Sequence, residues 1–203
     1  MLGFFLKGFS GYDKRDQLAG DALYKAVIRQ SRLPDFFLRY EVPDTLDGRF
    51  DILMIHLYIL FYRLRSHSRY KDLSQYIFDR TFKDMEKGLR EAGVGDVGIP
   101  KKMKTMMQAF NGRMNAYKST AEYDRENPDQ PIGPGHPLFE VLKRNLYGTV
   151  EKPKDSVIAD MLIYLRYSMM ALNHQDLDQI ALGNVRFVNP GEINVGEENE
   201  QKK

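Results

Sequence analysis

The chain has 203 residues, of which 42% are hydrophobic and 29% charged, and a net charge of +2. That length buries one sizeable core, and the absence of cysteine excludes disulfides, thiolate metal sites and a thiol nucleophile. The longest apolar stretch, Phe50 to Leu64, is about 15 residues against the roughly 20 that span a bilayer, and no G-x-S-x-G, H-E-x-x-H or P-loop motif occurs.

In chain order, Met1 to Phe9 carries Lys7 as its only charge. It lacks the basic flank and cleavage site of a signal peptide, so it is expected to pack on the domain, with contact to a membrane surface as the alternative. Ala19, Ala22, Leu23, Ala26 and Val27 recur at helical spacing, and Leu33-Pro34 ends that helix. Phe36, Phe37, Leu38 and Tyr40 follow as a short aromatic connector. Val42-Pro43-Asp44-Thr45-Leu46-Asp47-Gly48-Arg49-Phe50 then opens an apolar helix reaching Arg65. Its polar interruptions from Phe50 to Leu64 are Asp51, His56, and Arg63. A solvated helix carries polar residues along a whole face, so this one is expected to be enclosed by others. Asp44 and Asp47 suit a helix start, where carboxylates satisfy free amides and favour the macrodipole.

Ser68 to Ala92 reads as the next helix, with Leu73, Ile77 and Phe82 inward and Gly93 as its C-terminal stop. Pro100 takes a first-turn position, and Met103, Met106, Met107, Phe110, Met114, Tyr117 and Ala121 form a helical stripe. Residues 127–137 contain four prolines and two glycines, which excludes helix. Leu138 to Tyr147, Asp155 to Asn173 and Leu177 to Leu182 complete the helical pattern. Val185 to Val188 suits a short extended piece, and from Gly191 the polar, acidic tail is expected to be disordered. The fold class is all-α, a single-domain bundle of about six to seven helices over 1–190, with a Pro-rich linker, a helical flap beyond it (138–183) and a tail at 191–203.

Charge is distributed unevenly. Residues 52–120 carry 13 basic and 6 acidic side chains, whereas 121–203 carry 9 basic and 14 acidic. A basic middle suits RNA, anionic lipid or an acidic protein patch, and internal charge complementarity explains it equally well. Lys101, Lys104 and Lys118 lie roughly opposite the Met stripe, on a face that suits phosphates; most such faces are merely solvated.

Three motifs invite chemistry. Gly93-Val94-Gly95-Asp96-Val97-Gly98 matches G-x-G-x-x-G, but a dinucleotide site needs a preceding strand, so it reads as a helix–helix joint. Asp44, Asp47 and Asp51 have the spacing of an Mg²⁺–diphosphate site, yet no second acidic motif faces them, and helix capping is the better explanation. His56 and His67 stand about 16 Å apart along a helix, too far to share a metal. His56 reads as a hydrogen-bonded core residue. No metal or cofactor is implied.

Taken together, Val42 to Phe50, His56-Leu57, Arg63-Leu64, Leu89 to Asp96, Lys101-Lys102-Met103, Phe110-Asn111-Gly112-Arg113 and Tyr117 resemble the ubiquinol–cytochrome c chaperone family. The similarity covers about residues 20–120 and carries little of the C-terminal third. It implies a non-catalytic, mostly helical assembly factor for the respiratory bc1 complex, whose client is newly made cytochrome b. The lack of a presequence suggests a bacterial member, cytoplasmic and peripheral to the inner membrane; a mitochondrial one would work on the matrix side.

Holding an apolar client needs an exposed, adaptable groove with a polar rim rather than converging titratable groups. The candidates are Phe36, Phe37 and Tyr40 and whichever methionine side chains remain accessible, with Asp44, Asp47, Arg49, Arg113, Lys101, Lys102 and Lys104 as client, partner or anionic-membrane contacts. Arg49 and Arg113 are expected to pair with acids such as Asp44 or Asp96. Two other classes compete: an all-α Mg²⁺-dependent enzyme on a prenyl diphosphate or lipid, and an RNA- or ribosome-binding module using the basic helix.

Overall fold

Leu46 to Leu64 is enclosed, as its composition requires. The computed structural model describes residues 11–127 and 129–193. Eight α-helices follow in order: α1 (Lys14–Ser31), α2 (Asp35–Leu38), α3 (Leu46–Leu64), α4 (Tyr70–Glu91), α5 (Gly98–Glu126), α6 (Pro137–Asn145), α7 (Asp155–Asn173) and α8 (Leu177–Ala181), then a 3₁₀ turn at Pro190–Glu192. The all-α, single-domain class holds. The aromatic connector is a single helical turn, α2, and no strand forms at Val185 to Val188.

Helix α3 packs against α1, α4, α5, α7 and α8. It divides the interior in two. Ile52, Ile55, Tyr58 and Ile59 face a core built with α2, α6, α7 and the second half of α5. Met54, Leu57, Leu60, Phe61 and Leu64 face one built with α1, α4, α8 and the first half of α5. Burying both sides of one helix explains why it lacks a polar face. The helices beyond the proline linker are therefore no flap, because α7 lies directly on α3 and supplies Ile158, Met161, Leu162 and Leu165 to the core.

The entrance to α3 is tight. Thr45 is the N-cap, its hydroxyl accepting from the Gly48 amide at 3.1 Å. A Cβ on Gly48 would stand 2.0 Å from the Pro43 carbonyl oxygen, so the chain turns this closely only with glycine there. Asp44 and Asp47 lie before and in the first turn as expected, Asp47 as an exposed first-turn acid; the capping bond itself comes from Thr45, and Asp44 binds Arg49 instead.

The G-x-G-x-x-G stretch joins α4 to α5. Gly93 has φ +80°, its amide donates to Arg90 O, and the Val94 amide donates to Leu89 O, both at 3.0 Å. This pair of bonds is the Schellman ending of a helix. Arg90 binds both Glu86 and Asp96, clamping the joint.

Buried polar groups tie the two cores together. His56 Nδ1 donates to Ile52 O at 2.8 Å, and its Nε2 accepts from the Tyr164 hydroxyl at 2.7 Å. Tyr164 accepts in turn from Gln30 at 3.1 Å, and Gln30 also donates to Val188 O at 2.6 Å. Arg63 donates to Leu172 O in the last turn of α7 and to Gln175 O just beyond it, placing a cation at the C-terminal end of that helix. At the proline linker, His136 Nδ1 accepts from the Leu138 amide, so its Nε2–H donates to Asp124 at 2.8 Å. Arg166 reaches the same carboxylate at 3.1 Å, joining α5, the linker and α7.

The C-terminal segment is held where disorder was expected. Arg39 donates to the carbonyls of Pro190, Gly191 and Ile193, and the Tyr40 hydroxyl to Pro190 O. Gln175 brackets Arg186 by accepting from its amide and donating to its carbonyl. Ile193 is buried. The expectations for Met1 to Phe9 and for 194–203 lie outside the described residues.

Candidate functional site: an apolar groove at the entrance of the central helix

A groove of about 650 Å³ opens between the end of α1, α2, the first two turns of α3, the end of α4 and α5. Its wall is apolar: Ile28, Phe37, Phe50, Leu53, Met85 and Met106. Leu38 and Leu46, also in its lining, are 81% and 78% exposed. Two large apolar side chains this exposed at one opening form a patch, and such patches mark binding surfaces more often than scattered single residues do.

Local sequence builds this opening. Leu46 is the first residue of α3, and its side chain stands exposed at the helix end. Gly88 and Ala92 line the α4 side, and nothing lies within 4 Å of a Cβ built on Gly88. A glycine inside a helix costs about 1 kcal/mol relative to alanine, and at Gly88 no neighbour requires it. What it does is leave the groove open.

The rim is polar. Arg49 binds Asp44 through Nε at 2.6 Å and Nη2 at 3.2 Å, and its guanidinium lies 5.8 Å from the Phe37 ring centre. The pairing with Arg49 lowers the Asp44 carboxyl pKa below its ordinary value. Arg32, at the end of α1, is a second cation in the lining.

The proposed contact residues are therefore divided. Phe37, Asp44 and Arg49 meet in the groove. Phe36 and Tyr40 do not: both are fully buried, with Phe36 5.2 Å from His56 and Tyr40 5.8 Å from Tyr164 between ring centres. Their expected exposure is corrected, because the single turn α2 points alternate rings into and out of the core. Arg113 pairs with Asp51, not with Asp96, whose partner is Arg90. Asp51 is buried, and burial pushes its pKa up to about 6 while Arg113 pulls the other way. Arg113 also lies over Phe50, the groove residue next to Asp51. Lys101, Lys102 and Lys104 are exposed on the first turns of α5, outside the groove lining.

Sequence reasoning missed Leu38, Leu46, Leu53 and Gly88, whereas Met85 and Met106 are accessible methionines of the kind it proposed. The unexplained mid-helix glycine and the apolar residue at a helix's first position were the available signals. Among the described residues no group of three or more His, Cys, Asp or Glu side chains is placed to hold a metal ion. Asp44 and Asp51 are each committed to an arginine. No helix among the described residues is long and apolar enough to cross a membrane.

Residues 38–187 match the family model described as ubiquinol–cytochrome C chaperone. The chain belongs to this family. The match runs through α6 and α7 to Phe187, beyond the 20–120 stretch that carries the visible motifs, so the C-terminal third is part of the family domain. The mouse ubiquinol-cytochrome c reductase complex assembly factor 1 is 26% identical over 187 residues, covering 89% of this chain and 59% of the mouse protein. The human protein of the same name is 26% identical over 181 residues, covering 86% of this chain and 56% of its own length. The chain thus spans somewhat under three fifths of these relatives. The crystal structure of the Cbp3 homolog from Brucella abortus superimposes with a TM-score of 0.74 at 25% identity, over 89% of this chain and 94% of that one.

Proposed function

We propose that this chain is a non-catalytic assembly chaperone for the ubiquinol–cytochrome c reductase complex. In this reading it holds an apolar segment of a membrane subunit, cytochrome b, in the groove at the entrance of α3, while working at the membrane periphery. The observation that carries this reading is the open apolar groove itself, with Leu38 and Leu46 unpaired at its mouth. Family membership and the names of the mouse and human relatives support the choice of complex.

An assembly chaperone must bind reversibly and recognise a segment through apolar contact along a groove, with polar groups fixing its ends. Met85 and Met106 suit that task because unbranched thioether side chains adapt to different apolar shapes. The Asp44–Arg49 pair at the edge is exposed, so it contributes little to stability and is free to exchange partners with a polar flank of the client.

The test is complementation of a deletion strain, scoring assembled bc1 complex and photo-crosslinks from position 38 to cytochrome b. Leu46→Asp and Arg49→Ala are expected to reduce both without changing the melting temperature. Normal complex levels in both variants would remove the groove from the function.

A further inference from the structure

A second cleft of about 520 Å³ lies at the other end of α3, bounded by the start of α4 and the second half of α5. We propose that it is a binding site for a phosphate ester, with the phosphate on Arg65 and Arg125 and the organic portion against the tyrosines. The two sites share no residue, and this inference does not rest on the chaperone reading.

The cations here are unspent. The Arg65 guanidinium lies 3.5 Å from the centre of the Tyr62 ring. Stacking fixes its plane while leaving its N–H edges free, the arrangement in which arginine binds phosphate through two parallel bonds. Neither Arg65 nor Arg125 has a carboxylate partner among the described residues. Among the described residues Lys118 is held only by Glu122, at 3.6 Å with both side chains about half exposed, an interaction of little strength. Cations thus exceed acids in the lining.

The second observation is Tyr58. It lines the cleft and is 5% exposed, yet its hydroxyl has no hydrogen-bond partner among the described residues. The hydroxyl sits in electrostatic range of Tyr62, Arg65 and Glu122, which line the cleft. Burying a hydroxyl without a partner costs about 1–3 kcal/mol, whereas the other buried polar side chains of α3, Asp51 and His56, both have partners. A donor kept at that cost in the wall of a cleft lined by Arg65, Arg125 and three tyrosines suits an acceptor-rich anion carrying an apolar body. A lipid headgroup and a soluble phosphate ester share that chemistry.

The experiment titrates the full chain with glycerol 3-phosphate and with monomeric dihexanoyl phosphatidylglycerol by calorimetry at one salt concentration. Co-sedimentation with phosphatidylglycerol and phosphatidylcholine vesicles runs in parallel. Saturable binding is expected, weakened about tenfold by Arg65→Ala or by Arg125→Ala, as loss of one charge-assisted contact predicts. Selective sedimentation with phosphatidylglycerol vesicles that the same substitutions abolish identifies a lipid headgroup; soluble binding without it identifies a free ester. Tyr58→Phe is expected to melt no lower than the wild type yet to bind more weakly, an outcome a purely structural tyrosine would not give. Absence of saturable binding by either soluble probe, or binding unchanged in the Arg65→Ala/Arg125→Ala double variant, overturns the site.

Discussion

His56 Nε2 and the Tyr164 hydroxyl meet at 2.7 Å in the interior, joining α3 to α7. Because His56 Nδ1 donates to Ile52 O, the bond requires a neutral imidazole with Tyr164 as donor. Burial pushes the His56 pKa down to about 4. An unfolded histidine titrates near 6.5, so between pH 6.5 and pH 4 the unfolded chain binds the extra proton. This contribution is complete above pH 6.5 and is lost on acidification, by about 2 kcal/mol between pH 7 and pH 5. Asp51 acts in the opposite sense, since its pKa is raised to about 6. Urea melts of wild type and His56→Gln at the two pH values separate the effects: the wild type is expected to lose more stability on acidification than the variant. Equal losses would show that His56 does not titrate on unfolding.

The close approach of Pro43 O to Gly48 gives a second prediction. Gly48→Ala puts a methyl carbon where a backbone oxygen stands 2.0 Å away, and backbone cannot yield as a flexible side chain can. The Thr45 cap on the Gly48 amide would also be disturbed, and loss of such a cap alone costs about 1 kcal/mol. Denaturant unfolding is expected to show a loss of at least about 2 kcal/mol, against gain or neutrality for an ordinary helical Gly→Ala change.

Periodicity was sufficient for most of the helices. Helix α7 spans Asp155–Asn173 as its apolar spacing indicates, and α3 is enclosed as its missing polar face requires. Spacing does not reveal which distant residue answers a buried charge. Arg113 lies nearer in sequence to Asp96 than to Asp51, but α5 turns its side chain toward α3. The two rings of Phe36 and Phe37 look equivalent in a connector and become opposite only when α2 winds a single turn. The C-terminal segment looks soluble because its partners, Arg39, Tyr40 and Gln30, lie about 150 residues away.

Arg39 therefore has a predicted local role. It donates to three carbonyls of the 190–193 segment, while Tyr40 and Gln30 each hold one more point. Arg39→Ala is expected to speed amide hydrogen exchange over 186–193 while leaving exchange in α3 unchanged, since local openings need not pass through global unfolding. Uniform acceleration across the chain would show that the segment is integral to the whole core.

The Asp51–Arg113 pair makes a prediction about both partners. Asp51 is almost fully buried, and Arg113 covers it from α5. Removing the arginine alone leaves an unpaired buried carboxyl, so Arg113→Met is expected to cost about 3–5 kcal/mol. Asp51→Leu with Arg113→Met removes both charges and is expected to recover much of that loss. A double-mutant cycle from thermal or denaturant melts checks this; additive losses would mean the pair does not act as a unit.

Gly88 connects stability to function. No neighbour blocks a side chain there, and the residue lies in the middle of the last turns of α4, beside the groove. Gly88→Ala is expected to stabilise the chain by about 0.5–1 kcal/mol, the ordinary helical difference. Gly88→Leu extends a larger side chain into the opening that Leu46, Leu53 and Met106 line, and under the proposed function it would compete with the client's apolar segment for the same space. Its expected signature is a melting temperature at or above wild type together with reduced assembly of the bc1 complex in a complemented deletion strain. Stability and assembly normally fall together when a substitution damages a fold, so the opposite signs distinguish a filled groove from a weakened protein. Full assembly activity in stable Gly88→Leu would place client binding elsewhere on the surface.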